Sequence, residues 1–146
     1  MSTPPSTLSV TFSPRLISDT GATHVLLRRS SLPYLRHLFS PSVLPSLSFS
    51  LPNGDSLPVS GHNAGTLRFP HKPEPVECYV CEDKDLAHNL IGTSPLLRPN
   101  GTATYTPTSV AFHSPSSNVP FLTGSKRAHE DLWFLNVPAP KNVSDG

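Results

Sequence analysis

The sequence predicts an all-β domain. Three observations carry this. The chain holds 18 prolines in 146 residues, more than twice the usual level of about 5%, which with many serines leaves no room for long helices. Short runs alternate apolar and polar residues with period two, the signature of half-buried strands. Asn-Gly pairs at 53–54 and 100–101 supply turn chemistry, the first of them between two alternating runs.

Taken in order, residues 1–7 are Ser, Thr and Pro after Met1 and predict a disordered tail. Leu8, Val10 and Phe12 alternate with Ser9 and Thr11 as a strand that Pro14 ends. Leu16-Ile17 leads into a turn at Asp19, and His24 to Leu27 continues as a buried strand. After Pro33, the segment Leu32 to Phe39 supports one or two helical turns at most.

Leu47, Phe49 and Leu51 alternate with serines, Pro52-Asn53-Gly54-Asp55 turns the chain, and Leu57 and Val59 resume the alternation. This is the clearest hairpin in the sequence. Gly65 to Phe69 alternates again, Pro70, Pro73 and Pro75 make a stiff connector, and Val76 to Cys81 forms another strand. Asn89-Leu90-Ile91-Gly92 is a short buried strand, and Pro95-Leu96-Leu97 starts a single helical turn. Asn100-Gly101 turns into Thr102 to Tyr105, and Ser109 to Phe112 is the last clear strand. The expected organisation is a tail over residues 1–7, a folded domain over 8–113, and a Ser/Pro-rich extension over 114–146 that carries the aromatic cluster Leu132-Trp133-Phe134-Leu135. Eight or nine short strands fit a small barrel or sandwich.

Composition narrows the function. Charged residues are 14% and the net charge is +1, so no charged block points to nucleic acid or a membrane surface. No run of 18 apolar residues is present to suggest a transmembrane helix, and the N-terminus lacks a basic-then-apolar leader. Two cysteines do not make a disulfide framework, and the expected setting is intracellular and cytoplasmic. Cys78-Tyr79-Val80-Cys81 has zinc-like spacing with His71 and His88 nearby. A strand there points the two thiols to opposite faces, so no metal and no cofactor is expected.

The chemistry concentrates at Asp19-Thr20-Gly21-Ala22-Thr23. One carboxylate sits in a tight turn between two apolar runs. Gly21 is read as the place where a side chain would clash, and the small flanking residues leave room for a second copy of the loop. Alone, Asp-Thr-Gly is a common turn.

This loop, the hairpin after it, and a strand of apolar-apolar-Gly that leads into a short helical turn together resemble the retropepsin-like aspartic proteases. The stretch Tyr79 to Leu96, the turn Asn100 to Thr106 and the run Ser109 to Phe112 are similar to the part after the flap in polyproteins of copia-type retrotransposons. Glu130-Asp131-Leu132-Trp133 is similar to the Leu-Trp that opens the segment before the integrase there. The resemblance spans roughly residues 8–135, with the Asp loop as its specific motif.

The resemblance implies a closed barrel or sandwich with a flap hairpin and one short helix. It implies a homodimeric aspartic endopeptidase that hydrolyses polyprotein peptide bonds with water held between two Asp19 carboxylates, one from each copy. Thr20 would brace the two loops, and Gly21, Ala22 and Thr23 would complete them. Pro52, Asn53, Gly54 and Asp55 would form the flap tip, with Gly61 to Gly65 as a second candidate. Leu90, Ile91 and Gly92 would support the Asp loop. The chain departs from the family at Ser18, at the Pro-Asn-Gly-Asp tip, and at Thr93-Ser94-Pro95, where many of these proteases carry a charged-polar pair. The implied partners are a second copy of the chain and a peptide substrate. The alternative is an inactive or domesticated relative of the same fold that binds protein. A Pro/Ser-rich disordered segment is a further alternative, against which the regular alternation stands.

Overall fold

The computed structural model describes residues 15–50, 54–127 and 129–139. The expected strand Leu8 to Phe12 and the hairpin-tip residues Pro52 and Asn53 lie outside them. The fold is mostly β, as the alternation predicts, with a curled ten-stranded sheet that forms a half-barrel.

The strands are β1 (Leu16–Asp19), β2 (Val25–Arg28), β3 (Phe39–Pro41), β4 (Leu47–Ser50), β5 (Ser56–Val59), β6 (Ala64–Leu67), β7 (Val76–Cys81), β8 (Asn89–Gly92), β9 (Thr102–Tyr105), β10 (Ser109–His113), β11 (Leu122–Ser125) and β12 (Trp133–Asn136). Two one-turn helices interrupt them, α1 (Leu32–Leu35) after a 3-10 turn, and α2 (Thr93–Leu96). The sheet order is β3-β6-β7-β2-β8-β1-β12-β11-β10-β9, and β4 and β5 pair separately as a hairpin.

Most neighbours are antiparallel. The exceptions are β1 with β8 and β2 with β7, which run parallel. Parallel neighbours cannot be joined by a tight turn, so these two pairs bring together segments far apart in the chain.

Alternation along each strand sorts the apolar side chains into two cores. One face of the sheet buries Leu16, Val25, Leu27, Cys78, Ile91, Val110, Phe112 and Leu135 together. The other buries Leu26, Tyr79 and Cys81 with Val59, Ala64 and Leu86, against which Phe49 and Leu57 of the hairpin pack. β2 is covered on both faces and so reads as a continuous apolar run in sequence.

The sheet does not end at residue 113. β11 pairs with β10 and β12 pairs with both β11 and β1, so the segment read as an extension supplies two strands of the same sheet. Its Leu135 lies opposite Leu16 and is buried with it. β3 is a further strand the sequence pattern did not announce. It pairs with β6 at the sheet's edge and carries Pro41 there, a position that needs no donated ladder bond.

Candidate functional site

The site is the turn between β1 and β2. β1 delivers Asp19 at its C-terminal end, and the Ala22 amide donates to the Asp19 carbonyl at 3.2 Å to close the turn. The Gly21 amide donates to Asp19 Oδ1 at 2.9 Å, so one carboxylate oxygen is held by backbone and the carboxylate is half-buried. This backbone hydrogen bond fixes the orientation of the carboxyl group.

The reason for glycine at 21 differs from the expected one. A Cβ there would meet only Asp19 Oδ1, at 3.5 Å, an ordinary contact. Within one chain the position is open.

The tight glycine is Gly92. β8 runs parallel beside β1 with Asp19 opposite Gly92, and the Gly92 amide donates to the His24 carbonyl at 3.1 Å. A Cβ on Gly92 would stand 2.7 Å from the carbonyl oxygens of both Ala22 and His24, closer than packed atoms allow. Leu90 and Ile91 lie beside the strands that flank the turn, Leu90 opposite Ile17 and Leu26 and Ile91 opposite Ser18 and Val25. Next to them, Ser18 Oγ and Thr93 Oγ1 lie 3.5 Å apart.

Asn89, at the start of the same strand, anchors the arrangement. Its side chain is fully buried and accepts from the Arg28 amide at 2.7 Å. It donates to the Arg15 carbonyl at 2.8 Å and to Ser31 Oγ at 3.0 Å. One amide therefore ties the start of β1, the end of β2 and β8 together. Sequence reasoning read Asn89 only as a strand residue. A polar residue opening a buried run was the one available signal.

On the other side of β1 stands β12, with Trp133 opposite Ser18. The Trp133 ring meets Tyr105 edge-on at 5.2 Å and lies under Lys126 Nζ at 5.7 Å. This neighbour was not foreseen, because the pairing joins residues more than a hundred positions apart.

The β4–β5 hairpin folds back toward the turn. Phe49 packs edge-on against His24 at 5.3 Å and Tyr79 at 5.6 Å. His24 Nδ1 shares a hydrogen bond with Thr23 Oγ1 at 2.9 Å, and the Tyr79 hydroxyl donates to the Pro45 carbonyl at 2.6 Å. Of the expected tip, Gly54 is exposed with φ +92°, a left-handed conformation suited to glycine. Asp55 is exposed beside it. In the second flap candidate, Gly61 to Gly65, the ends are buried and His62 and Asn63 are exposed. Gly61 is buried, its amide donates to Ser46 Oγ at 2.8 Å and its carbonyl accepts from the Leu44 amide at 3.0 Å. Beside the turn a cavity of about 350 Å³ is lined by Thr23, His24, Thr66, Glu74, Glu77 and Arg98, among others.

Other titratable groups have structural commitments. Asp83 is held below its ordinary value by hydrogen bonds from Ser30 and pairs with Arg28 at 3.4 Å. Lys72 is buried, donates to the Arg98 carbonyl at 2.6 Å and covers the Phe121 ring. Cys78 and Cys81 occupy different cores. Burial pushes the Cys78 thiol up to about 12 and the Cys81 thiol up to about 11, so neither is a ready thiolate. Among the described residues no group of three or more His, Cys, Asp or Glu is placed to hold a metal ion. No described helix is long and apolar enough to cross a membrane.

One chain thus offers one carboxylate, backbone-held in a turn, with an aromatic-anchored hairpin on one side. Such a group can hold a water molecule or exchange a proton with it. No family model, curated protein or solved structure matches the chain.

Proposed function

We propose that the chain is a homodimeric aspartic endopeptidase of the retropepsin-like kind, from a retrotransposon-type polyprotein. The observation that carries this is the registration of Asp19 against Gly92 in the parallel β1–β8 pair, with the Gly21 amide on the Asp19 carboxylate. It is the loop-and-supporting-strand arrangement that the sequence resemblance implies. The folded-back hairpin anchored through Phe49 adds to it.

Two copies would bring two Asp19 carboxylates together about a two-fold axis. Like charges at that distance cannot both ionise, so one takes the base role and the other the acid role. Water between them attacks the peptide carbonyl as the base takes its proton. The acid protonates the carbonyl oxygen, and the leaving amine takes a proton as the tetrahedral intermediate collapses. Thr20 is the residue for bracing the two loops, and the open side of Gly21 leaves room for the second copy and the substrate.

A second reading is an inactive relative that binds protein with the same fold. The segment Thr93-Ser94-Pro95 favours it, since it stands where many proteases of this kind carry a charged-polar pair. One experiment separates the two: peptide cleavage at mildly acidic pH, wild type beside Asp19→Asn, over a range of protein concentration. Cleavage that rises faster than linearly with concentration and vanishes in the variant supports the protease. Absence of cleavage from a demonstrably dimeric wild type leaves the binding module.

A further inference from the structure

We propose that the cavity beside the Asp19 turn binds a zwitterionic peptide segment, with a basic side chain against Glu77 and a neighbouring carboxylate against Arg98. The binding site stands on its own geometry. Its use as a specificity subsite rests on the reading of Asp19 as half of a protease site.

Three adjacent strands build one wall. In the parallel β2–β7 pair Leu26 lies opposite Tyr79. In the antiparallel β6–β7 pair Ala64 lies opposite Tyr79, and Thr66 opposite Glu77. Leu26, Ala64 and Tyr79 are buried together in the second core. Side chains two positions apart on a strand share a face, so His24, Thr66 and Glu77 continue that face by one step. All three line the cavity of about 350 Å³. At this level each of the three strands passes from an apolar residue to a polar one, and the second core ends in a polar recess.

Arg98 and Glu74 add to the lining, and Lys72 holds both in place. Its side chain is 3% exposed, and its ammonium donates to the Arg98 carbonyl at 2.6 Å and pairs with Glu74 at 3.7 Å. A buried ammonium is costly unless it is paired. Here it ties the β6–β7 connector to the segment after α2, which fixes two sides of the recess.

The charges left over select the ligand. Lys72 answers Glu74. The Glu77 carboxylate joins no ion pair among the described residues, and the Arg98 guanidinium donates to a neutral partner, Ser94 Oγ at 3.2 Å. A carboxylate and a guanidinium thus line one cavity without pairing with each other. A ligand that carries both signs answers both groups, whereas a ligand of one sign meets its own charge at one of them. The volume lies at the small end of ligand sites and suits one or two side chains. Thr23 and His24 of the lining directly follow the Asp19 turn, so a peptide segment is the zwitterion that reaches both places.

The test is titration of the full chain with capped dipeptides, acetyl-Lys-Glu-amide beside the Lys-Gln, Gln-Glu and Gln-Gln forms, read by backbone amide shifts at Thr23, Thr66 and Glu77. The Asp19→Asn chain is used, so that no cleavage intervenes. Glu77→Gln and Arg98→Gln are compared with it, as is the control Lys84→Gln, in the connector beyond the other end of β7; each is checked for native circular dichroism. Lys-Glu is expected to bind at millimolar concentration. Loss of either charge, from the peptide or from Glu77 or Arg98, is expected to weaken binding about three- to fivefold, the scale of an exposed ion pair. Lys84→Gln is expected to change nothing. Absence of shifts at the three amides overturns the site, as does equal binding of the Gln-Gln peptide or indifference to both Glu77→Gln and Arg98→Gln. The protease reading is judged apart, by cleavage with the wild type. Charge-dependent binding without cleavage supports the site and sinks the protease; cleavage without such binding overturns the site and leaves the protease standing.

Discussion

Gly92 stands directly across from Asp19 in the parallel pairing of β1 and β8, and its missing side chain is what lets β8 close on the Ala22 and His24 carbonyls that follow Asp19. The turn's other glycine, Gly21, has no such steric duty inside one chain.

The two positions therefore answer differently to the same change. Gly92→Ala drives a methyl group into two carbonyl oxygens that belong to backbone and cannot swing aside. It is expected to cost about 1–3 kcal/mol or more. Gly21→Ala meets only a carboxylate oxygen at ordinary distance, and Ala restricts the unfolded chain, so its stability is expected to stay within about 1 kcal/mol of wild type. Urea titration of both variants checks the contrast. Equal losses in both would contradict it.

Asn89 joins three segments through one side chain. Asn89→Ala takes this partner from the part-buried Arg28 amide and Arg15 carbonyl and from Ser31 Oγ. The expected loss is about 1–3 kcal/mol, the range for hydrogen-bonding groups left unsatisfied. Asn89→Asp keeps the acceptor for Arg28 but loses both donors and adds a buried charge, so it is expected to be no better. Midpoints of denaturant unfolding measure both.

The hairpin is a separable unit. It forms its own two-stranded sheet, and Phe49 is its aromatic anchor on His24 and Tyr79. Isolated two-stranded hairpins are marginal in water. Phe49→Ala is therefore expected to raise hydrogen exchange across Leu47–Ser50 and Ser56–Val59 while β2, β7 and β8 keep their protection. Loss of protection across the whole sheet would show the hairpin to be integral to the core.

The buried thiol sets an alkaline limit. Cys78 is raised from 9.0 to about 12, first by burial and then by the Glu77 charge. The folded state thus holds its proton where the unfolded state releases it. The contribution to stability is complete below about pH 9 and is lost as pH rises toward about 12. Unfolding free energy is expected to fall through that window, and more gently in Cys78→Ala. An identical slope in both would remove Cys78 as the cause.

How far this was legible in sequence depends on whether the signal was local. The Asp19 turn, the Leu47–Val59 hairpin, β7 and β8 each announce themselves through residues that touch within a few positions. β11 and β12 do not. Leu122-Thr123-Gly124-Ser125 shows little alternation because a Cβ at Gly124 would stand 2.7 Å from Leu135 Cδ2 and the Phe134 carbonyl, and the small residue is set by the neighbouring strand. Trp133-Phe134-Leu135 reads as an unpatterned apolar run because both its faces are used. Leu135 enters the core, and Phe134 lies under the Arg15 guanidinium at 5.4 Å. Gly21 was misread because turn glycines commonly answer to their own chain.

The pairing of Ser18 with Trp133 also sets an order of events during synthesis. These partners are 133 − 18 = 115 residues apart, and ribosomes add roughly 5–20 residues per second. The strand that bears the carboxylate thus emerges on the order of ten seconds before its last neighbour exists. Asp19 is made early and enclosed late. A chain still being translated holds the acid but not yet the β12 strand that pairs with the residues just before it.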